Sequence, residues 1–523
     1  MKTIRMSVEC QANLGNATAI TTERWVTTAA VIASGMAFID ATALNVALPM
    51  IQSEFGATGS QLLWIVNAYA LMVAALLLLG GALGDHFGHR RMLMTGVGLF
   101  AVGSLLCGLA PGAAWLIAAR TVQGIGAAIM LPGSLSLIST TFEPLRRGRA
   151  IGTWSALSVV MTALGPVLGG VLADAGLWRC VFLINLPLAA LCLLVLRAKV
   201  PAGDRQGGSG RLDFGGGLLS VAGLALLSYG LIESSNRGWQ DPGIVAAMAA
   251  AVVCLGAFVL FEQRVSDPLL PMSLFRDRTM VAASVQTLCL YSGLFGMTFF
   301  LSLNLIQVQQ YAAAQAGLAQ LPLMLMVLMF APVAGRLVDR AGPRIPITIG
   351  GALGGAGFAL LAAPHITSGP GDYWFSFLLP LILLGVSMGV SAPALSTAIL
   401  NSVEQTRLGA AAGVNSTLSR LSSVLGIAVL GPVALLVFRD SLMSLTTELA
   451  LNSSEVAQLA RESVRLADAQ PPAGLSAELT SNVDGSISAA YLSAFRVVSI
   501  VCAAIVGLST LGVAVLMGGK AAR

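Results

Sequence analysis

The stretch Gly81-Ala-Leu83-Gly-Asp85-His-Phe-Gly88-His-Arg90-Arg91 closes one long apolar run, and 254 residues later Gly335-Arg-Leu337-Val-Asp339-Arg-Ala-Gly342-Pro-Arg344 closes another. Five positions coincide in register: Gly81 with Gly335, Leu83 with Leu337, Asp85 with Asp339, Gly88 with Gly342, and Arg90 with Arg344. A second echo, at an offset of 261, links Gly148, Gly152 and Leu164-Gly165 with Gly409, Gly413 and Leu425-Gly426. A charged loop repeated in this way marks a chain built of two equivalent halves.

The surroundings of the repeat say what kind of halves these are. Of 523 residues, 56% are hydrophobic and 10% charged, and the mean hydropathy is +0.84. A soluble domain carries about 25% charged residues, so this composition excludes a water-soluble enzyme. The apolar stretches are continuous and roughly twenty residues long, which fits membrane helices and excludes a barrel of short alternating strands. Glycine inside such runs serves close helix approach. Cys10, Cys107, Cys180, Cys192, Cys254, Cys289 and Cys502 form no CxxC and have no partnering histidine; they read as small buried hydrophobes, with no metal site expected. The net charge of +5 is not gathered into an aromatic-interleaved patch, so no nucleic-acid partner is expected.

Breaking the chain at charged and Gly/Pro-rich stretches yields fourteen segments: 26–48, 62–83, 92–110, 114–138, 150–173, 180–196, 215–233, 243–262, 280–306, 317–337, 345–364, 373–398, 408–438 and 494–518. The fold class expected is an all-α polytopic membrane protein. Spans one to six recur as nine to fourteen in parallel orientation, with seven and eight inserted. The expected divisions are a tail at 1–24, a six-helix half at 25–199, a linker with the inserted pair at 200–278, a second half at 279–518 and a tail at 519–523. The polar first 24 residues lack a signal-peptide core, so span one is expected to be an uncleaved helix. Termini and even-to-odd loops hold 21 of the 29 Lys and Arg residues, which places both termini in the cytoplasm and the chain in the cytoplasmic membrane. The linker contains Gly203, Gly207, Gly208 and Gly210 and reads as flexible. The far-side segment 439–491 has seven acidic and three basic residues and reads as a solvated flap, the other reading being a surface that attracts cationic solutes, with Asn452 and Glu455 forming a capping box.

The repeated loop invites a mechanical reading. Asp85 and Asp339 lie at helix ends beside Arg90, Arg91 and Arg344, and ion pairs among them would latch that face shut and release it on opening. The alternative is a charge cluster that only sets topology.

Several stretches besides the loop carry a family resemblance. The loop is similar to motif A of the major facilitator superfamily. Asp40-Ala-Thr42-Ala-Leu-Asn45-Val-Ala47-Leu48-Pro49 resembles the span-one element of its drug:proton antiporters. Arg120-Thr-Val-Gln123-Gly124-Ile-Gly126 resembles motif B, and Leu164-Gly165-Pro166-Val-Leu-Gly169-Gly170 resembles the antiporter motif C, followed by Trp178-Arg179-Cys180-Val-Phe182-Leu-Ile-Asn185-Leu-Pro187. Together they resemble the fourteen-helix drug:proton antiporter subfamily over almost the whole chain. This implies a major facilitator fold and coupling roles for Asp40 and Arg120. Two positions depart from the pattern: Met161 stands where motif C begins with glycine, which is expected to loosen the packing of span five, and Cys180 stands where tryptophan is common.

The residues themselves point the same way. A charge inside a span is costly, so each one is a functional hypothesis. Asp40, Arg120 and Arg420 remain once helix ends are set aside, with Glu233 and Arg496 near outer ends. Asp40 and Arg120 lie roughly 12 and 9 Å from the far boundary, at similar depth. Burial favours a protonated carboxyl and a nearby arginine favours an ionised one, so a changing Asp40–Arg120 distance would move a proton; a static buried pair is the other reading. Arg420 either faces the cavity or is structural. Candidate substrate contacts are Asn45, Trp64, Asn67, Trp154, Tyr291, Phe295, Asn415 and Arg420.

The function expected is a proton-coupled antiporter that exports lipophilic drugs, antibiotics or dyes. A dedicated exporter of one metabolite and a non-transporting receptor or scaffold are the alternatives. No cofactor is expected beyond the proton gradient, since no GxxxxGK[ST] occurs. Its partners would be a small lipophilic substrate, protons and the bilayer, and the chain is expected to be a monomer. His86, His89 and His365 lie in loops with no nucleophile beside them, which leaves no enzymatic reading.

Overall fold

The computed structural model describes residues 2–201, 213–265, 268–270, 272–363, 372–403, 408–447, 449 and 451–517. Among these there is no strand. Among the described residues fourteen helical segments are long and apolar enough to cross a membrane. In chain order, spans one to six are Thr22–Phe55, Gly59–Phe87, His89–Gly108, Ala113–Thr141, Ala150–Asp174 and Cys180–Lys199. The inserted spans seven and eight are Phe214–Ser234 and Pro242–Glu262. Spans nine to fourteen are Arg278–Val308, Ala313–Ala341, Arg344–Leu361, Leu378–Asn401, Ala411–Thr446 and Ala477–Leu516. Each expected segment is present. The linker glycines, Arg205, Arg211, Arg407 and His365 lie outside the described residues.

Helix is the only conformation open to these runs, because lipid offers no partner to a backbone amide. Their ends follow local chemistry. Thr58 and Gln61 make a reciprocal capping box at the start of span two, and Asp213, Asp241 and Asp277 accept backbone N–H bonds at the starts of spans seven, eight and nine. The repeated loops stop their helices identically: Gly88 has φ 95° and Gly342 φ 72°, backbone that only glycine enters without strain.

The two halves pack alike. Span one lies on span five, two on four, and three on four and six; spans nine and thirteen, ten and twelve, eleven and twelve, and eleven and fourteen repeat these pairings. Between the halves run two seams. Spans two and thirteen meet along their length, from Leu63 against Gly431 to Leu78 against Gly413. Spans five and ten meet chiefly through Ala313–Ala319, at the face opposite the basic loops. Span seven lies over the first seam, where Val221, Leu224 and Ala225 cover Leu71, Met72 and Val424, and span eight packs on span seven.

The segment 439–491 departs from its expected form as a solvated flap. Span thirteen continues to Thr446, a capped helix Ser453–Glu462 leads into a 3-10 turn Ser463–Asp468, and span fourteen begins at Ala477. Leu459, Leu466, Val483 and Ile487 are buried, which folds the segment down as a lid on the far face. Its charges are arranged on one side of an amphipathic helix, so the charge count alone hides an apolar stripe. The Asn452–Glu455 capping box is present, with Asn452 N–H donating to Glu455 Oε2 at 2.8 Å and Glu455 N–H to Asn452 Oδ1 at 2.9 Å.

Candidate transport pathway and proton site

Asp40 lies in span one with none of its side chain exposed, and Arg120, at 1%, reaches it from span four. Arg120 Nη1 donates to Asp40 Oδ2 and, at 2.7 Å, to Gln123 Oε1. Gln123 Nε2 in turn donates to Asp40 Oδ1 and to Ser104 Oγ, both at 2.8 Å. Asn185 Nδ2 adds bonds to Ser104 Oγ at 3.3 Å and Asp40 Oδ1 at 3.5 Å. Four spans thus converge on one carboxylate inside the first half. A buried ion pair survives only when its remaining hydrogen-bonding capacity is met, and here both carboxylate oxygens are met.

This cluster touches the helices that meet the other half. Arg120 Nε donates to Ile65 O at 3.2 Å, and its guanidinium stacks 4.2 Å from the Tyr69 ring, both on span two. Half a turn from Asp40, Thr42 Oγ1 donates to Thr162 O of span five at 3.1 Å. A Cβ on Gly165 would sit 1.8 Å from Thr42 Oγ1, and one on Gly169 would sit 2.2 Å from Ala43 O, so span five can approach only as glycine. On its other side, a Cβ on Gly170 would lie 2.4 Å from Ala313 O, and one on Gly317 would lie 2.1 Å from Pro166 O. Gly165, Pro166, Gly169 and Gly170 are therefore a two-sided contact between span one and the opposite half.

Met161 does not loosen span five as expected. Its side chain lies over Gly35 of span one, 3.1 Å from where a Cβ would be, so the small residue has moved to the other helix. Cys180 is free and half-buried; next to it Trp178 is fully buried and donates to Glu54, which also pairs with Arg179 at 2.6 Å.

The far face is closed. Asp174 accepts the amides of Ala313 and Ala314 at 2.7 and 2.9 Å. Gln307 Nε2 donates to Gln52 Oε1 at 3.0 Å, and Gln52 Nε2 donates to Arg465 O in the lid at 2.7 Å. On the basic side the repeated glycines are uncrowded: a Cβ on Gly335 would meet nothing within 4 Å, and one on Gly81 only Pro132 at 3.8 Å.

The expected latch partners stand apart in this conformation. Asp85 pairs at 3.5 Å with His89 on its own turn, Asp339 is exposed, and neither forms an ion pair with an arginine among the described residues. The arginines do something else. Arg90 Nε donates to Leu196 O at 3.0 Å at the end of span six, and Arg344 Nη2 donates to Ala514 O at 2.7 Å at the end of span fourteen. Both cap carbonyls that a helix C-terminus leaves unpaired. The pair is related by the repeat, so its role is internal to each half. Arg91 is exposed at the start of span three.

The substrate candidates divide into groups. Asn67 is fully buried in span two with neither Oδ1 nor Nδ2 bonded, and Asn45 is 9% exposed with Oδ1 unbonded. Arg420 is half-buried, crosses to the first half and stands 5.4 Å from the Phe38 ring, with no carboxylate partner among the described residues. Tyr291 and Phe295 lie 6.3 Å apart, ring to ring, on span nine. The others are engaged in packing: Trp154 donates to Ser34 Oγ at 3.1 Å, Asn415 to Ser396 Oγ at 3.0 Å, and Trp64 packs against the main core. Ser104 and Tyr69 join the cluster without a signal in the sequence, and Asn185 only as one residue of the stretch that follows motif C; their place near charged residues in the fold distinguishes them from ordinary polar helix residues.

Comparisons with known proteins agree with this architecture. The family model described as Major Facilitator Superfamily matches residues 30–427. The multidrug resistance protein Stp of Mycobacterium tuberculosis (strain CDC 1551 / Oshkosh) is 35% identical over 401 residues, covering 76% of this chain and 73% of that one. The puromycin resistance protein pur8 of Streptomyces alboniger is 36% identical, covering 79% and 82%. The cephamycin export protein CmcT of Amycolatopsis lactamdurans is 35% identical, covering 77% and 84%. Among solved structures, a bacterial homologue of the human lysosomal transporter Spinster, inward-facing and unoccupied, superposes with a TM-score of 0.63 at 18% identity, over 96% of this chain and 99% of that one, a likeness of fold. With that family pattern running through both halves and these relatives aligned across most of its length, the chain belongs to the Major Facilitator Superfamily.

Proposed function

We propose that this protein is a proton-driven antiporter that exports lipophilic drugs, antibiotics or dyes across the cytoplasmic membrane. The observation that carries the reading is the sealed Asp40–Arg120–Gln123 cluster. It is costly to keep in lipid, and a scaffold gains nothing from it. The names of the relatives, which speak of multidrug resistance, puromycin resistance and cephamycin export, support export of compounds of this kind.

The geometry supports a route from proton to movement. A proton on Asp40 removes the charge that holds Arg120, and Arg120 bonds to span two through Ile65 O and Tyr69. Span two is a seam helix, so its shift bears on span thirteen in the other half. The positive-inside rule puts the basic face in the cytoplasm. In this cycle Arg120 holds Asp40 in the described conformation, whose far face is closed by the Asp174 and Gln52 contacts. Asn45, Asn67 and Arg420 supply the few polar groups an apolar pathway needs to orient a substrate. One proton entering through about 100 mV with one pH unit gives about 3.7 kcal/mol, enough for roughly a 500-fold outward gradient of a neutral compound.

The test is uptake of dyes and antibiotics into inverted vesicles with an imposed pH gradient. Accumulation is expected to follow the gradient and to vanish in Asp40→Asn. Accumulation that survives collapse of the gradient overturns the antiport reading.

A further inference from the structure

Asp213 and Glu262 meet at the basic-face end of the inserted pair, far in sequence from the Asp40 cluster. Asp213 caps span seven, its Oδ1 accepting Gly216 N–H at 2.7 Å, and Glu262 ends span eight, its Oε2 accepting Leu270 N–H at 2.9 Å. The two residues are 7% and 2% exposed. Their other oxygens, Asp213 Oδ2 and Glu262 Oε1, are buried and have no hydrogen-bond partner. Both point into one space above Gly216, where a Cβ would lie 2.5 Å from Oδ2 and 2.6 Å from Oε1. The glycine is what leaves that space free.

Among the described residues no cation balances the two. Span eight brings no other charged residue to this end, and the segment after it brings the backbone amides of Leu269 and Leu270. Arg264, Arg276 and Arg278 are exposed, and no ion pair joins them to either carboxyl. On span two, Asp85 is exposed and engaged with His89; on span thirteen, Arg420 is stacked near Phe38 in mid-span. Two ionised carboxylates buried face to face without a cation repel strongly, and a single proton between them satisfies both free oxygens.

We propose that Asp213 and Glu262 share one proton between Oδ2 and Oε1, forming a second proton site distinct from Asp40. The site acts as a clasp. It ties the start of span seven, where the chain arrives from the first half, to the end of span eight and the backbone leading to the second half. With the proton bound the clasp is shut; its loss at higher pH leaves two facing negative charges and loosens the inserted pair.

Infrared difference spectroscopy on the full chain in lipid nanodiscs, in an Asp40→Asn background, tests this. A protonated-carboxyl band is expected at neutral pH, to be lost on raising the pH and absent in Glu262→Gln, with Asp213→Asn also removing or shifting it. Both substitutions are isosteric, and thermal melting is expected to show them folded. Gly216→Ala, which fills the space, is expected to shift the band. A spectrum unchanged by Glu262→Gln and Asp213→Asn overturns the proposal. So does a band that appears only after sodium, potassium and magnesium are removed, which assigns the space to a metal cation. Loss of transport with the band intact in otherwise native protein counts against the antiport reading and leaves this one standing.

Discussion

The interiors of the two halves are built on one plan and filled with opposite chemistry. Helix prolines Pro132 in span four and Pro393 in span twelve are 261 residues apart. At that spacing Arg120 and Gln123 correspond to Leu381 and Leu384. Leu381 and Leu384 line a small apolar cavity with Met297 and Leu301 of span nine, a span that contains no carboxylate. At these matched positions one half therefore holds a paired charge and its hydrogen bonds, while the other holds hydrocarbon. What the halves share is scaffold: glycine stops at Gly88 and Gly342, and carbonyl caps at Arg90 and Arg344. Duplication preserved how helices end and pack, and the buried ion pair was confined to one copy, the second half keeping Arg420 without a carboxylate partner among the described residues.

The largest test of that contrast is Asp40→Asn, which is expected to reduce a roughly 500-fold driven gradient to none while downhill movement persists, read in vesicles with and without the pH gradient. Next, Leu381→Arg places an unpaired charge where the cavity lining offers no carboxylate. It is expected to cost about 3–5 kcal/mol, seen as loss of folded protein in detergent melting. If Leu381→Arg folds as well as the parent, the interiors are not chemically distinct. Gly317→Val overpacks the far-face seam, where Pro166 O leaves no room; it is expected to cost about 1–3 kcal/mol and to expose engineered thiols near Gln307 to an impermeant reagent. Arg90→Ala and Arg344→Ala should each lower stability by about 1 kcal/mol, and by equal amounts if the shared scaffold is truly equivalent. The smallest effect lies in the lid. Burial raises the Asp468 carboxyl above its usual range, with Arg465 opposing and Glu462 reinforcing. The folded state thus holds that proton more tightly than the unfolded one. The lid's stability is full below the ordinary carboxylate range and falls as pH rises through the raised value, and Asp468→Asn should flatten that fall in melts taken across it.

The spans, the repeat and the Asp40–Arg120 pair are legible in the sequence because each rests on contrast: apolar length against charge, or a charge within apolar length. The rest of the cluster is not. Ser104 is uncharged, and nothing in its own helix separates it from residues that bond to a nearby carbonyl, as Ser134 does. The lid escapes a sequence reading because its apolar stripe is interleaved along the chain with charged residues, Glu455, Arg461, Glu462, Arg465 and Asp468. Proximity along the chain puts Arg90 and Arg344 opposite Asp85 and Asp339, whereas the acceptors they find are carbonyls of a helix more than a hundred residues away.

Met161 over Gly35 carries a wider consequence. Two helices that must touch need one missing side chain at the crossing, and either helix can supply the gap. A family pattern written along a single helix records half of that contact. A substitution that breaks the pattern is neutral when the facing helix has already made room, so the quantity under constraint is the distance between axes, and the letter at either position is free to change with its neighbour.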